Sequence, residues 1–97
     1  MIFSFGNALV SDMYNDIKTK NVFKFPPELY QLARRKLFYL NEATSLNDLK
    51  VPPGNRLEQL KGSLKGFYSI RINVRFRIIF KWVNNMAHEV SFLDYHN

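Results

Sequence analysis

Apolar residues recur along this chain in two rhythms, and the rhythm changes near residue 50. From Asn7 to Lys20, the positions Leu9, Val10, Met13, Tyr14 and Ile17 follow the spacing of one helix face. Phe25-Pro26-Pro27 stops that run, because proline has no amide to donate inside a helix; Pro27 suits the first turn of a second one. Leu29, Leu32, Ala33, Lys36, Leu37 and Leu40 mark one face of that helix, from about Pro27 to Ala43, and Arg34 and Arg35 mark the other. The aliphatic stem of Lys36 is expected to lie beside the apolar stripe with its ammonium in water.

Ile2 to Phe5 is apolar and β-prone, enough for a short edge strand. Thr44 to Asn55 reads as a connection, stiffened by Pro52 and Pro53 and allowed a sharp reversal by Gly54. Beyond it the period is two. Arg56 to Leu60 is a short strand, and Phe67 to Ile72 sets Tyr68, Ile70 and Ile72 opposite Ser69 and Arg71. Asn73-Val74-Arg75 turns into Phe76 to Trp82, where Phe76, Ile78, Phe80 and Trp82 lie opposite Arg77, Ile79 and Lys81. Asn84-Asn85 is a second turn, and Glu89 to Leu93 is the last strand. Two helices followed by a meander predict an α+β fold, one domain over residues 1–97, with both helices on one face of a small antiparallel sheet. The other face is expected to be partly open and to carry Arg71 and Arg77.

Composition narrows the chemistry. The chain is 46% hydrophobic with nine Phe, five Tyr and one Trp, ample for one core. Cysteine is absent, and His88 and His96 are too few and too far apart for a zinc site, so neither a metal nor another cofactor is expected. No basic leader precedes an apolar run, and no stretch approaches ~18 apolar residues, so a soluble, cytoplasmic protein away from membranes is expected. Net charge is +6, and its placement matters more than its size. Between Lys50 and Lys81 lie eight basic residues (Lys50, Arg56, Lys61, Lys65, Arg71, Arg75, Arg77, Lys81) against one acid, Glu58. Most charge runs are solvated faces, but this one alternates with aromatics along strands, the footprint of a phosphate-binding surface.

The tail Asp94-Tyr95-His96-Asn97 adds a group that titrates near neutral pH. An imidazole ionises near ~6.5 and can give or take a proton. A penultimate histidine is ordinarily a frayed tail residue, but Phe92-Leu93 leads an apolar strand into this one and can anchor it. Arg77 offers a planar fork of donors that matches phosphate oxygens. Acid/base chemistry beside fixed positive charge suits cleavage of a phosphodiester, with RNA the first candidate substrate. Lys61 is then a backbone-phosphate contact and Arg71 a weaker helper of Arg77. Tyr95 either hydrogen-bonds phosphate, stacks on a base, or covers the sheet rim. Asp94 suits orienting Tyr95, His96 or a nearby arginine. Glu58 can act as a base only where burial favours its neutral form, and this many cations favour the charged form instead. His88 reads as structural or exposed.

Five segments in order carry a resemblance: Pro52-Pro53-Gly54-Asn55-Arg56-Leu57-Glu58, Leu60-Lys61-Gly62, Tyr68-Ser69-Ile70-Arg71-Ile72-Asn73, Phe76-Arg77-Ile78-Ile79-Phe80 and Asp94-Tyr95-His96. Together they resemble the HigB-like branch of the RelE/ParE toxin superfamily. The resemblance implies a RelE-like fold, two N-terminal helices packed on a small twisted antiparallel sheet. It also implies ribosome-dependent cleavage of mRNA, restrained by a HigA-type antitoxin with a helix-turn-helix domain. It places the terminal histidine, here His96, in the active site, and makes Arg56, Lys50, Lys65 and Arg75 contacts to RNA or the bacterial ribosome. Glu58 stands where better-studied members carry a histidine assigned to acid/base work, while other members of the branch carry Glu. Two other readings stay open. One is a toxin that blocks the ribosome, or another target such as gyrase, by binding alone; the other is a generic single-stranded RNA-binding domain.

Overall fold

The first helical run breaks where its polar residues compete for the backbone. In the computed structural model of the chain, which describes residues 1–95, helix α1 spans Ala8–Tyr14 and stops short of Lys20. Asn7 caps its start, accepting from the Val10 amide at 3.1 Å. The Asn15 amide donates to the Ser11 carbonyl and the Asp16 amide to the Met13 carbonyl, and Asp16 turns left-handed at a φ of 57°. Thr19 caps a separate short helix, α2 (Lys20–Lys24), which apolar spacing alone merges with the first. Pro27–Leu29 forms one 3-10 turn leading into α3 (Tyr30–Glu42), close to the expected bounds.

Lys36 corrects the expectation made for it. It lies on the buried face of α3 and is 8% exposed. Its ammonium donates to Asn55 Oδ1 rather than standing in water. The connection from Thr44 is also more ordered than expected. Leu46–Lys50 is a 3-10 turn with a reciprocal cap between Ser45 and Asp48, and Pro53–Asn55 is a second such turn.

Four strands follow in sequence order, all antiparallel: β1 (Glu58–Gln59), β2 (Tyr68–Arg71), β3 (Phe76–Val83) and β4 (Met86–Asp94). Asn84 and Asn85, at φ 51° and 60°, make the two-residue turn between β3 and β4, a geometry that asparagine tolerates better than most residues. The β3–β4 register shifts between Ile79 and Lys81, and Glu89, at a φ of 53°, sits in the resulting bulge on β4. The expected N-terminal edge strand is reduced to two isolated parallel bridges, Ile2 to Ala87 and Phe5 to Val90. Val10, Met13, Leu37 and Leu40 from the helices pack against Ile70, Ile78, Phe80 and Val90 of the sheet, all wholly buried. Each such side chain contributes about 1.5–3 kcal/mol from removal of apolar surface.

Alternation holds, and the second sheet face is partly open, with Arg71 half-buried and Glu58 exposed, but Arg77 is not on its open part. Ser69 and Arg71 on β2 and Arg77 and Ile79 on β3 point away from the helices, as their registers require. Ser69 is wholly buried, Ile79 is buried, and Arg77 is only 8% exposed. A sheet face expected to be partly open therefore holds a sheltered guanidinium.

Candidate functional site

Arg77 is built into the sheet by three acceptors. Its Nη1 donates to Ser69 Oγ at 2.9 Å and to the Arg56 carbonyl at 3.2 Å, and its Nη2 donates to Glu58 Oε1 at 2.9 Å. Register explains the convergence. Glu58 pairs with Ser69 across β1 and β2, and Arg71 pairs with Arg77 across β2 and β3, so Ser69 and Arg77 are diagonal neighbours on one face. Arg56 adopts a left-handed conformation (φ 47°, ψ 57°) just before β1, where its carbonyl can reach Arg77. The guanidinium also lies 5.5 Å from the centre of the Tyr95 ring. The segment's one acid is thus the partner of this arginine, although the shortage of acids in that half argues against any such pair.

Two more of the eight cations are matched by carboxylates from the last strand. Arg75 makes a two-point pair with Asp94 (2.9 and 2.8 Å), which raises its hold on its proton. Lys81 pairs with Glu89 at 2.9 Å. Among the described residues, Lys50, Arg56, Lys61, Lys65 and Arg71 have no carboxylate within ion-pair distance. Lys61 and Lys65 line one shallow hollow of about 280 Å³ with Gln59, Leu60 and Gly62, immediately beyond Glu58 in the chain. Arg71 is half-buried beside Arg77; Lys50 closes the 3-10 turn at 46–50 and is exposed.

The Tyr95 amide donates to the Arg75 carbonyl at 2.7 Å, so the chain is still held after β4 ends. His96, the proposed proton donor or acceptor, lies outside the described residues. His88 is half-buried on β4 and packs against Phe3 with ring centres 4.6 Å apart and planes tilted by 31°, away from the Arg77 cluster in sequence and bonding. Ser69 is the one residue of the cluster that sequence reasoning assigned no role. Its signal is a small hydroxyl at a strand position on the arginine-bearing face, between two large apolar residues. Among the described residues, no group of three or more His, Asp or Glu is placed to hold a metal ion, and no helix is long and apolar enough to cross a membrane.

Comparison with known proteins gives this cluster its context. The model of a family described as the RelE-like toxin of the type II toxin–antitoxin system HigB matches residues 18–96. Toxin HigB-1 of Vibrio cholerae serotype O1 is 38% identical over 96 residues, which cover 99% of this chain and 98% of that one. An uncharacterized protein of Haemophilus influenzae is 39% identical over 74 residues, covering 76% and 72% of the two chains. Among solved structures, the fold resembles chains in two YoeB–YefM complexes from Staphylococcus aureus. Each has a TM-score of 0.60, at 18% and 20% identity, across all of this chain and 99% of the other. With most of its length matched by the family and nearly all of it aligned to a HigB toxin, the chain belongs to the HigB-like family of RelE-like toxins of type II toxin–antitoxin systems.

Proposed function

We propose that this toxin is a metal-independent endoribonuclease that cuts messenger RNA on the bacterial ribosome, in the cytoplasm. The observation that carries the reading is the Arg77 guanidinium, aligned by Ser69, Arg56 and Glu58 before any substrate arrives. Preorganised donors stabilise the charge that builds on the non-bridging oxygens of a five-coordinate phosphorus, and one such donor contributes ~10²–10³ in rate. The scissile phosphate competes with Glu58 for the fork. Glu58, displaced, or His96 takes the proton of the 2′-OH. The 2′-oxygen bonds to phosphorus, the bond from phosphorus to the 5′-oxygen breaks, and His96 or Tyr95 gives that oxygen a proton. The products are a 2′,3′-cyclic phosphate and a 5′-hydroxyl.

Lys61 and Arg71 hold the backbone beside the cut, and Arg56, Lys50, Lys65 and Arg75 contact RNA around it. Asp94 orients Arg75. The ribosome holds the message with its 2′-oxygen in line, which a small site cannot do alone. A HigA-type helix-turn-helix antitoxin restrains the toxin, a reading supported by family membership and by the YefM partner in the structures of similar fold.

Primer extension on messages from cells making wild type, His96→Ala or Arg77→Ala tests the reading. Discrete 5′ ends within codons are expected for wild type and should vanish in both variants. Wild-type ends from both would show that the site is elsewhere. One observation favours a second reading: the candidate base is bound to Arg77, which suits a toxin that blocks its target without cutting. Intact message with arrested translation would select that alternative.

A further inference from the structure

Lys36 and Asn55 form a buried polar pair that the nuclease chemistry does not use. Lys36 donates from α3 to Asn55 Oδ1, and Asn55 is wholly buried. The same asparagine donates from Nδ2 to the Leu49 carbonyl at 3.2 Å and the Val51 carbonyl at 3.3 Å, and its amide donates to the Pro52 carbonyl at 2.9 Å. One side chain thus ties α3 to the whole reversal at 49–55. Among the described residues, no carboxylate lies within ion-pair distance of Lys36. Its ammonium also lies 5.7 Å from the centre of the Tyr39 ring. A sheltered ammonium with one neutral partner is costly, and burial together with the neighbouring Arg35 lowers its hold on its proton. An apolar side chain on this face of α3 would pack without that cost, so stability alone does not account for the lysine.

The residues just after Asn55 supply the reason. Arg56 is left-handed, and its carbonyl accepts from Arg77; two residues later Glu58 accepts from the same guanidinium. A non-glycine residue in that conformation costs about 1–2 kcal/mol and needs its flanks held. Asn55, anchored by Lys36, is one flank. We propose that Lys36 is a positioning residue: through Asn55 it fixes the Arg56 carbonyl and the entry to β1, and so sets the direction in which Arg77 presents its donors. The proposal rests on the nuclease reading only for its consequence in catalysis; the geometric link stands without it.

Two measurements on Lys36→Met test it. The first is nitrogen-15 NMR of the Arg77 guanidinium. Wild type should show separate Nη signals, because rotation about the Nε–Cζ bond is blocked by three acceptors, and the variant should show averaging. The second is single-turnover cleavage of message on programmed ribosomes. Turnover at saturating ribosome should fall ~10²-fold, as expected for a misplaced group, with the half-saturating ribosome concentration changed less than about twofold. Lys36→Arg, which keeps a donor for Asn55, should recover part of both. A folded Lys36→Met protein with wild-type Arg77 signals overturns the proposal. If Lys36→Met does not fold, Lys36→Leu, which likewise has no donor for Asn55, carries the same comparison, and failure of both to fold also overturns it, because the role is then structural. Wild-type protein that leaves ribosome-bound message intact would end the nuclease reading while the NMR comparison still decided the link to Arg77.

Discussion

Arg71 and Arg77 stand directly opposite one another on β2 and β3, yet only Arg77 is buried and, among the described residues, only Arg77 is paired with a carboxylate. Facing like charges destabilise a sheet. Glu58 relieves that repulsion from one side, across the short first strand, and leaves Arg71 as the half-exposed cation of the two.

Glu58→Gln separates the counter-ion role from the base role. The amide oxygen still accepts from Arg77, and the carboxylate is half-exposed, so urea unfolding should change by only about 0–1 kcal/mol. Turnover on ribosomes should fall ~10²-fold or more if Glu58 takes the 2′-OH proton. Wild-type turnover would leave Glu58 a counter-ion and hand the base role to another group.

Arg77→Lys keeps the charge and loses the fork. An ammonium cannot reproduce the planar spread of donors that now serves Ser69, Arg56 and Glu58 together. A sheltered acceptor left without its donor costs about 1–3 kcal/mol, read as a lower urea midpoint. Cleavage should drop ~10²–10³-fold beyond any loss of folded protein. A lysine variant with undiminished rates would mean that charge alone suffices.

Acid should loosen the turn at 44–50 through Asp48. The Thr44 amide and hydroxyl, then the Ser45 amide, donate to its carboxylate and hold it below the ordinary 3.8. Between the unfolded and folded values, the unfolded chain binds more protons. The contribution is therefore complete above the unfolded value and is lost as pH falls through the folded one. Asp48→Asn should be less stable than wild type near neutral pH, with the gap in urea midpoint shrinking as pH falls below the ordinary 3.8. A gap that does not change with pH would refute this account.

Gly6→Val should peel the N-terminal segment from the sheet. A Cβ at Gly6 would lie 3.1 Å from the Glu89 carbonyl oxygen and 3.4 Å from Ser91 Cβ, at the bulge on β4. Overpacking of this kind costs about 1–3 kcal/mol. The Val90 amide, which donates to the Ser4 carbonyl at 3.1 Å, should exchange its hydrogen faster in the variant. Unchanged stability and exchange would show that the segment shifts at no cost.

The strands were legible because alternation such as Tyr68-Ser69-Ile70-Arg71 leaves one way to bury the apolar set, and asparagine pairs mark turns by their backbone tolerance. The break between α1 and α2 was harder to read, since Ile17 continues the helical spacing while Asn15 and Thr19 interrupt the backbone through local hydrogen bonds. The nature of the site depended on partners far apart in the chain. Glu58 meets Arg77 across 19 positions, and Lys36 meets Asn55 across the same separation. Periodicity indicates which way a side chain points but not what waits there, so a guanidinium expected in solvent and an ammonium expected in water both proved sheltered.

Pairing divides the basic segment into two kinds of charge. From a Debye length away, about 8–10 Å in physiological salt, a polyanion feels Arg77 with Glu58, Arg75 with Asp94 and Lys81 with Glu89 as nearly neutral couples. Among the described residues, Lys50, Arg56, Lys61, Lys65 and Arg71 of this segment have no carboxylate partner, and they supply its pull at that range. Raising the ionic strength should therefore slow arrival at the target and leave the step at Arg77 almost untouched, because a carboxylate guards that guanidinium until contact.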